Sequence, residues 1–491
     1  MRHDLNLRGR SSLAAVGSTA LLMGTLGGCQ SYSPQALDLS RHASLVEARS
    51  SETESVGRFA ERLGALGPGV PERFDLSDGL APSETEVLAL FYNADLRLAR
   101  LEAASALASL ETAGLWEDPV FGFDAAEILS PEGPLEFGLR LEATIPVSGR
   151  LQAERDREAA RYQAELSRLV AAEWSVRMEV RRAWAVWTDA VERHRLLDDF
   201  VTGTQRVVDL TDRLEEAGEL PRVESRAIRG RLQSARLELA SATLSVAEAR
   251  SELLGLMGLG ADASIEFVGG VSPASAAIPS DPIDRLIKSN PKLDALRASY
   301  QVAEEALRVE IRKQYPDLTI GAGYGNEDDD RLLLGFAMPI PVLNANRAGI
   351  ALARADRDMA RAQAETGFER LARQLGLAIE RQRLIQSQRE AFERDLIPLL
   401  DEQLEEVEEL MDLGQVDTLL LLESLTSRLN AKSRLLDLRL QESLVSIEID
   451  HLLGPVERQT PAPVEAPQAA EAEQETMNAA AQGSSAEETD Q

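Results

Sequence analysis

The chain has 491 residues and carries 82 Asp and Glu against 52 Lys and Arg, a net charge of -30. That excess of negative charge repels phosphate backbones and disfavours nucleic-acid binding on Coulombic grounds. The single cysteine, Cys29, leaves no intramolecular disulfide, and the four scattered histidines (His3, His42, His194 and His451) form no dense metal-ligand cluster.

At the N-terminus, Arg2, Arg8 and Arg10 precede an apolar run from Leu13 to Leu26. This is the layout of a secretory signal, so residues 1–28 are expected to be removed. Leu26-Gly27-Gly28-Cys29 resembles a bacterial lipobox, which makes Cys29 the expected lipidation site and new N-terminus. By the same resemblance, Gln30 rather than Asp after the cysteine favours the outer membrane. Residues 29–82 read as a polar linker with a short helix around Glu54 to Leu66, spacing the lipid anchor from the body of the protein.

From there the chain says nearly the same thing twice. Asn93-Ala94-Asp95-Leu96 opens a helical run followed by Asp118-Pro119, two alternating stretches and Ile145-Pro146-Val147. Asn290-Pro291-Lys292-Leu293 opens a second such run, followed by Tyr315-Pro316, two alternating stretches and Ile340-Pro341-Val342. The landmarks lie about 195 to 197 residues apart, far beyond the roughly 20 to 50 residue period of solenoids. One large unit, residues 83–257, is therefore duplicated as residues 283–454, joined by a connector at 258–282.

Each copy predicts a hairpin, over 119–147 and over 316–342. In the first, Leu135, Phe137, Leu139, Leu141, Ala143 and Ile145 alternate with Glu136, Gly138, Arg140, Glu142 and Thr144. In the second, Leu318, Ile320, Ala322 and Tyr324, then Leu332, Leu334, Phe336, Met338 and Ile340, do the same around an acidic turn at Glu327 to Asp330. Period-two alternation over about 9 to 11 residues suits a tilted membrane strand. Trp116 and Tyr315 stand just before the hairpins, where interfacial aromatics belong. No apolar run after Cys29 approaches the roughly 20 residues of a membrane helix, so any spanning falls to the strands. Unpaired strand edges are not tolerated in lipid, and the smallest membrane barrels have about eight strands. Two or three copies of the chain would supply about eight or twelve.

After each hairpin comes a very long helix, over 150–216 and over 348–413. Leu169, Ala172, Val176, Val180, Ala183, Trp187 and Val191 recur on an eleven-residue repeat, which at about 3.67 residues per turn keeps helices nearly straight, like staves. The turns Gly218-Glu219-Leu220 and Gly414-Gln415-Val416 reverse the chain into return helices at 222–255 and 417–453. Residues 455–491, rich in Ala, Glu, Gln, Ser and Pro, have too little apolar content to offset ordering entropy and are expected to form a disordered tail.

Over roughly Thr85 to Leu453 the chain resembles the TolC-type outer-membrane efflux family. The duplicated helix, hairpin, long helix and return helix carry the match, together with Asn290-Pro291-Lys292-Leu293, the Gly414 to Glu423 return and Pro339-Ile340-Pro341-Val342-Leu343-Asn344 with Arg347 and Gly349. The resemblance implies a mostly α fold with a small membrane β-barrel: a homotrimer whose helices form a periplasmic tunnel and whose strands, four per chain, form a twelve-stranded barrel. It further implies a passive export duct joined to an inner-membrane pump through a periplasmic adaptor, with no cofactor, no metal and no catalytic residues. Glu224 and Glu423 match acidic gating positions of the family, and Leu420 stands where some members carry a pore aspartate. The turns at Gly218, Glu219 and Leu220 and at Gly414, Gln415 and Val416 are the expected adaptor contacts. The alternative reading is a lipid-anchored periplasmic coiled-coil scaffold or pump adaptor without a pore. The substrate stays open among drugs, heavy-metal cations and secreted small molecules, although Ile340 to Gly349 resembles members that serve metal-cation pumps.

Overall fold

The computed structural model describes residues 32–49, 54–64, 79–127, 135–263, 265–268, 278–327, 329–412 and 418–455. Cys29, the signal segment, the tail beyond 455 and the turn at Gly414, Gln415 and Val416 lie outside the described residues. The chain divides into two units at Ala48. In the first, helix α1 (Leu39–Glu47) is capped by Asp38, whose carboxylate accepts from the Arg41 N–H at 3.0 Å, and it buries no residue.

The second unit contains everything else. It opens with α2 (Glu54–Gly64), α3 (Pro82–Tyr92) and α4 (Ala94–Glu111), then strands β1 (Val120–Glu127) and β2 (Leu135–Ile145), the long α5 (Arg150–Ala217) and its return α6 (Arg222–Leu256). The order then recurs as α7 (Pro282–Ser289), α8 (Pro291–Arg312), β3 (Leu318–Glu327), β4 (Asp329–Ala337), α9 (Arg347–Ala391), α10 (Ile397–Asp412) and α11 (Thr418–Leu453). The landmark asparagines explain why the copies start alike. Asn93 Oδ1 accepts from the N–H groups of Asp95 and Leu96, and Asn290 Oδ1 accepts from that of Leu293, so each caps the helix ahead of its hairpin.

Helix α5 runs for 68 residues, about 100 Å at 1.5 Å per residue. The stripe legible in the sequence is its packed face: Leu169, Val176, Val180, Ala183 and Trp187 are all buried. Val176 and Val180 pack on Ala89, Leu90 and Leu96 of α3 and α4, whereas Ala183, Trp184 and Trp187 pack on Ala249 and Leu253 of α6. In the second copy, Leu286, Leu293, Leu371, Leu375, Val445 and Ile449 join α7, α8, α9 and α11.

Two findings differ from the expectation. The segment 348–413 is not one uniform α-helix: a π-helical turn over Phe392–Leu396 separates α9 from α10. Pro398 lies just beyond that turn; it has no N–H to give, and its ring crowds the carbonyl four residues back, so the ladder widens there. The linker and connector also contribute to the core. Val56 and Ala60 of α2 are buried with Val87, Leu88, Leu254 and Met257. Phe267, within 258–282, stacks edge-on between Trp184 and Trp187 at 5.6 and 5.3 Å, and Leu80 bridges to Phe267 in parallel.

Candidate channel elements

The strands form one antiparallel sheet in the order β1-β2-β3-β4, so the two hairpins are joined through β2 and β3. Residues directly opposite in a ladder point to the same face, and the registers carry one apolar face across all four strands. Phe121 opposes Leu141, Leu141 opposes Ala322, and Ala322 opposes Leu334; Phe123, Leu139, Tyr324 and Leu332 form the next row. This face lies open, with Phe121 67% exposed and Leu334 and Phe336 each 78% exposed. The other face holds Asp124, Glu136, Arg140, Glu142 and Arg331 and lines a concave trough with Gly321, Gly323 and Gly325. Gly138 makes room on it: a Cβ there would sit 2.6 Å from an Asp124 carboxylate oxygen. The sheet thus has one apolar face and one charged, glycine-lined face. Among the described residues, no helix is long and apolar enough to cross a membrane.

Both strand-to-helix junctions make the same turn after their Ile-Pro-Val triplets. Val147 N–H donates to Ile145 O, and Val342 N–H to Ile340 O, each at 2.9 Å. Left-handed residues then start the long helices: Gly149 (φ 72°) before α5 and Asn346 (φ 51°) before α9. The first junction is pinned by the second copy, because Asp317 accepts from the Ser148 N–H at 3.1 Å and pairs with Arg150 at 3.6 Å. At the second junction, Asn346 Nδ2 donates to the carbonyl and the carboxylate of Glu310. Burial alone would raise the Glu310 carboxyl, but hydrogen bonds from Lys313 and Asn346 outweigh it and hold the group below the usual glutamate range.

At the far end of the helices, Gly218 (φ 78°) closes α5. Its N–H donates to Glu215 O, and the Glu219 and Leu220 N–H groups reach back to Leu214 O, satisfying carbonyls the helix end would leave bare. Glu219 is exposed and Leu220 half-buried. Glu224 lies in the first turn of α6, half-buried, and Glu423 lies on α11, exposed, with Ser427 Oγ 3.5 Å away. One apolar cluster joins the helices that carry them: Ile228 and Leu232 of α6 pack with Leu421 of α11, Leu404 and Val407 of α10, and Val207 and Val208 of α5. Sequence periodicity gave no sign of the polar clasp beside it. Asp401 of α10 pairs with Arg428 and with Lys432 of α11, the latter at 3.3 Å, and Gln403 donates to Ser424 Oγ at 3.1 Å. Burial would raise the Asp401 carboxyl, and the two cations instead draw it below its usual range. Alternating acids and bases on a long helix are too common for the sequence to mark this pair. Among the described residues, no group of three or more His, Cys, Asp or Glu is placed to hold a metal.

Residues 87–259 match the outer membrane efflux protein family. The chain is 25% identical over 328 residues to the cobalt-zinc-cadmium resistance protein CzcC of Cupriavidus metallidurans, covering 65% of this chain and 75% of that one. Its fold matches that of CusC, with a TM-score of 0.65 at 18% identity over 79% of this chain and 97% of CusC. It also matches the CmeC outer membrane channel of Campylobacter jejuni, with a TM-score of 0.64 at 17% identity over 88% and 96% of the two chains. The first copy thus matches the outer membrane efflux protein family in sequence, and the chain shares the fold of CusC and CmeC along most of its length.

Proposed function

We propose that the protein is the outer-membrane duct of a tripartite efflux system, a homotrimer that receives cargo from an inner-membrane pump through a periplasmic adaptor. The observation that carries this reading is the sheet: an apolar face open on every strand, a charged concave face behind it, and two unpaired edges. Such a sheet is soluble only where its outer face meets lipid and its edges meet further strands. Three copies close a barrel of about twelve strands with a polar lumen. Exposed Leu352, Met359, Leu377 and Leu384 on α9, and Leu237 and Leu244 on α6, supply apolar faces for neighbouring copies to cover.

The duct is passive, and the energy for transport comes from the pump. Cys29 carries the lipid anchor in the outer membrane. The turns at Gly218, Glu219, Leu220, Gly414, Gln415 and Val416 meet the adaptor, and Glu224 and Glu423 ring the periplasmic aperture, where three carboxylates per ring repel one another and favour cations. The metal-resistance relative supports divalent cations as cargo. Outer-membrane fractionation followed by conductance measurement in liposomes tests the reading: the purified protein makes pores, and a lipid-anchored protein that leaves liposomes sealed would instead be a scaffold or adaptor.

A further inference from the structure

The two hairpins contain the register of a contact that one chain cannot make. Their ladders end equivalently, Val120 opposite Glu142 and Thr319 opposite Ala337. By hairpin register this matches Glu142 with Ala337, as the Ile-Pro-Val triplets do, and Thr319 with Val120 and Asp317 with Asp118, two residues on from the match of Pro119 with Pro316 in the sequence. In the first copy, β2 continues past that point as Ala143, Thr144 and Ile145, and its partners there are Ile320, Thr319 and Leu318 of β3. In the second copy, the matching residues Met338, Pro339 and Ile340 have no strand partner among the described residues, and Met338 and Ile340 are exposed. The missing partner is the segment equivalent to the start of β3, which is the start of β1. Within one chain, β1 and β4 are the two outer strands of the sheet.

A charge is left over at the same place. Asp317 pins the start of α5 through Ser148 and Arg150. Its equivalent, Asp118, is exposed, and so is Arg347, which opens α9 as Arg150 opens α5. Among the described residues, neither side chain has an ion-pair or hydrogen-bond partner. The second junction, two residues longer than the first, is held by Glu310 on Asn346 but, among the described residues, has no acidic partner for Arg347.

We propose that β4 of one copy pairs antiparallel with β1 of the next, with Phe336 opposite Phe123, Ala337 opposite Gly122 and Met338 opposite Phe121, and that Asp118 of that neighbour clasps Arg347. In this register the apolar row continues across the seam, since Phe336, Phe123, Met338 and Phe121 share the outer face while Ala337 and Gly122 share the lumen side. A slip by one residue would turn an entire face inside out. The seam presupposes the closed oligomer proposed above, and it adds which residues meet.

Cysteine pairs in the full-length lipoprotein test it, read as chains linked on non-reducing gels. Phe123→Cys with Phe336→Cys, and Gly122→Cys with Ala337→Cys, are expected to link neighbouring copies, because directly opposed residues hold their Cβ atoms about 4.5 to 5.5 Å apart, near disulfide reach. The shifted pair Phe121→Cys with Phe336→Cys is expected to link at least tenfold less. Efficient linking by the shifted pair alone would overturn the register while leaving the closed barrel standing. No linking by any pair, with a monomeric native mass, would overturn both. For the clasp, Asp118→Arg and Arg347→Asp each lower the temperature at which the oligomer falls apart on gels, and the double exchange restores it. Failure of the exchange to restore it would remove the ion pair.

Discussion

Glu86 of α3 shows how far a single side chain can matter in this fold. It is 5% exposed, and Arg181 Nε donates to its carboxylate at 2.6 Å. Removing Glu86 leaves Arg181, itself one-third exposed and so partly screened by water, without its partner, at a cost of about 1 kcal/mol. Glu86→Ala is therefore expected to lower the unfolding midpoint clearly, and an unchanged thermal or urea melt would show the pair to be idle. Asp401 gives a pH dependence of opposite visibility. Its carboxyl is held below the usual aspartate range in the fold, so its contribution is present above about pH 4 and is lost as pH falls through the depressed value. The pair is about one-third exposed on both sides, which limits the effect to about 0.5 to 1 kcal/mol. Asp401→Asn should flatten that part of the acid titration of stability, and a profile identical to the parent's would assign the acid loss elsewhere. At the proposed aperture, Glu224→Ala with Glu423→Ala is expected to raise single-channel conductance and reduce cation preference. Unchanged conductance and selectivity would take both residues out of the gate.

At the scale of elements, the parts legible in the sequence were those written as periodicity. Alternation gave the strands and their apolar face, and the stripe from Leu169 to Val191 gave the packed side of α5. What periodicity does not encode was missed. The widened turn at Phe392–Leu396 needed attention to Pro398. The Asp317 clasp on Ser148 and Arg150 joins residues about 170 positions apart, which no local pattern announces. Asp401 and Arg428 were hidden among many other charges on α10 and α11. The reversal after α5, by contrast, was plain from Gly218, whose left-handed backbone (φ 78°) admits a side chain only with strain. A Cβ there meets no neighbouring atom, so the cost of Gly218→Ala is conformational alone, about 1 kcal/mol. Faster amide exchange confined to the α5–α6 turn would register it, and exchange spread over the whole helix pair would contradict so local an origin.

For the whole molecule, the decisive property is incompleteness. A four-stranded sheet with an exposed apolar face and two open edges is joined to helices, one of them 68 residues long. Hydrogen bonding in lipid permits no free edge, so the proposed function requires that copies of the chain finish the sheet and that the helices joined to it form a ring. The duplication makes such closure economical, since in it each hairpin would meet its neighbour on either side through nearly the same surfaces. A cryo-EM reconstruction of the purified full-length protein in detergent or nanodisc tests this most directly. Three copies around one axis, with a continuous lumen from the barrel through the helical tunnel, are expected; a stable monomer whose apolar strand face rests on its own helices would contradict the channel.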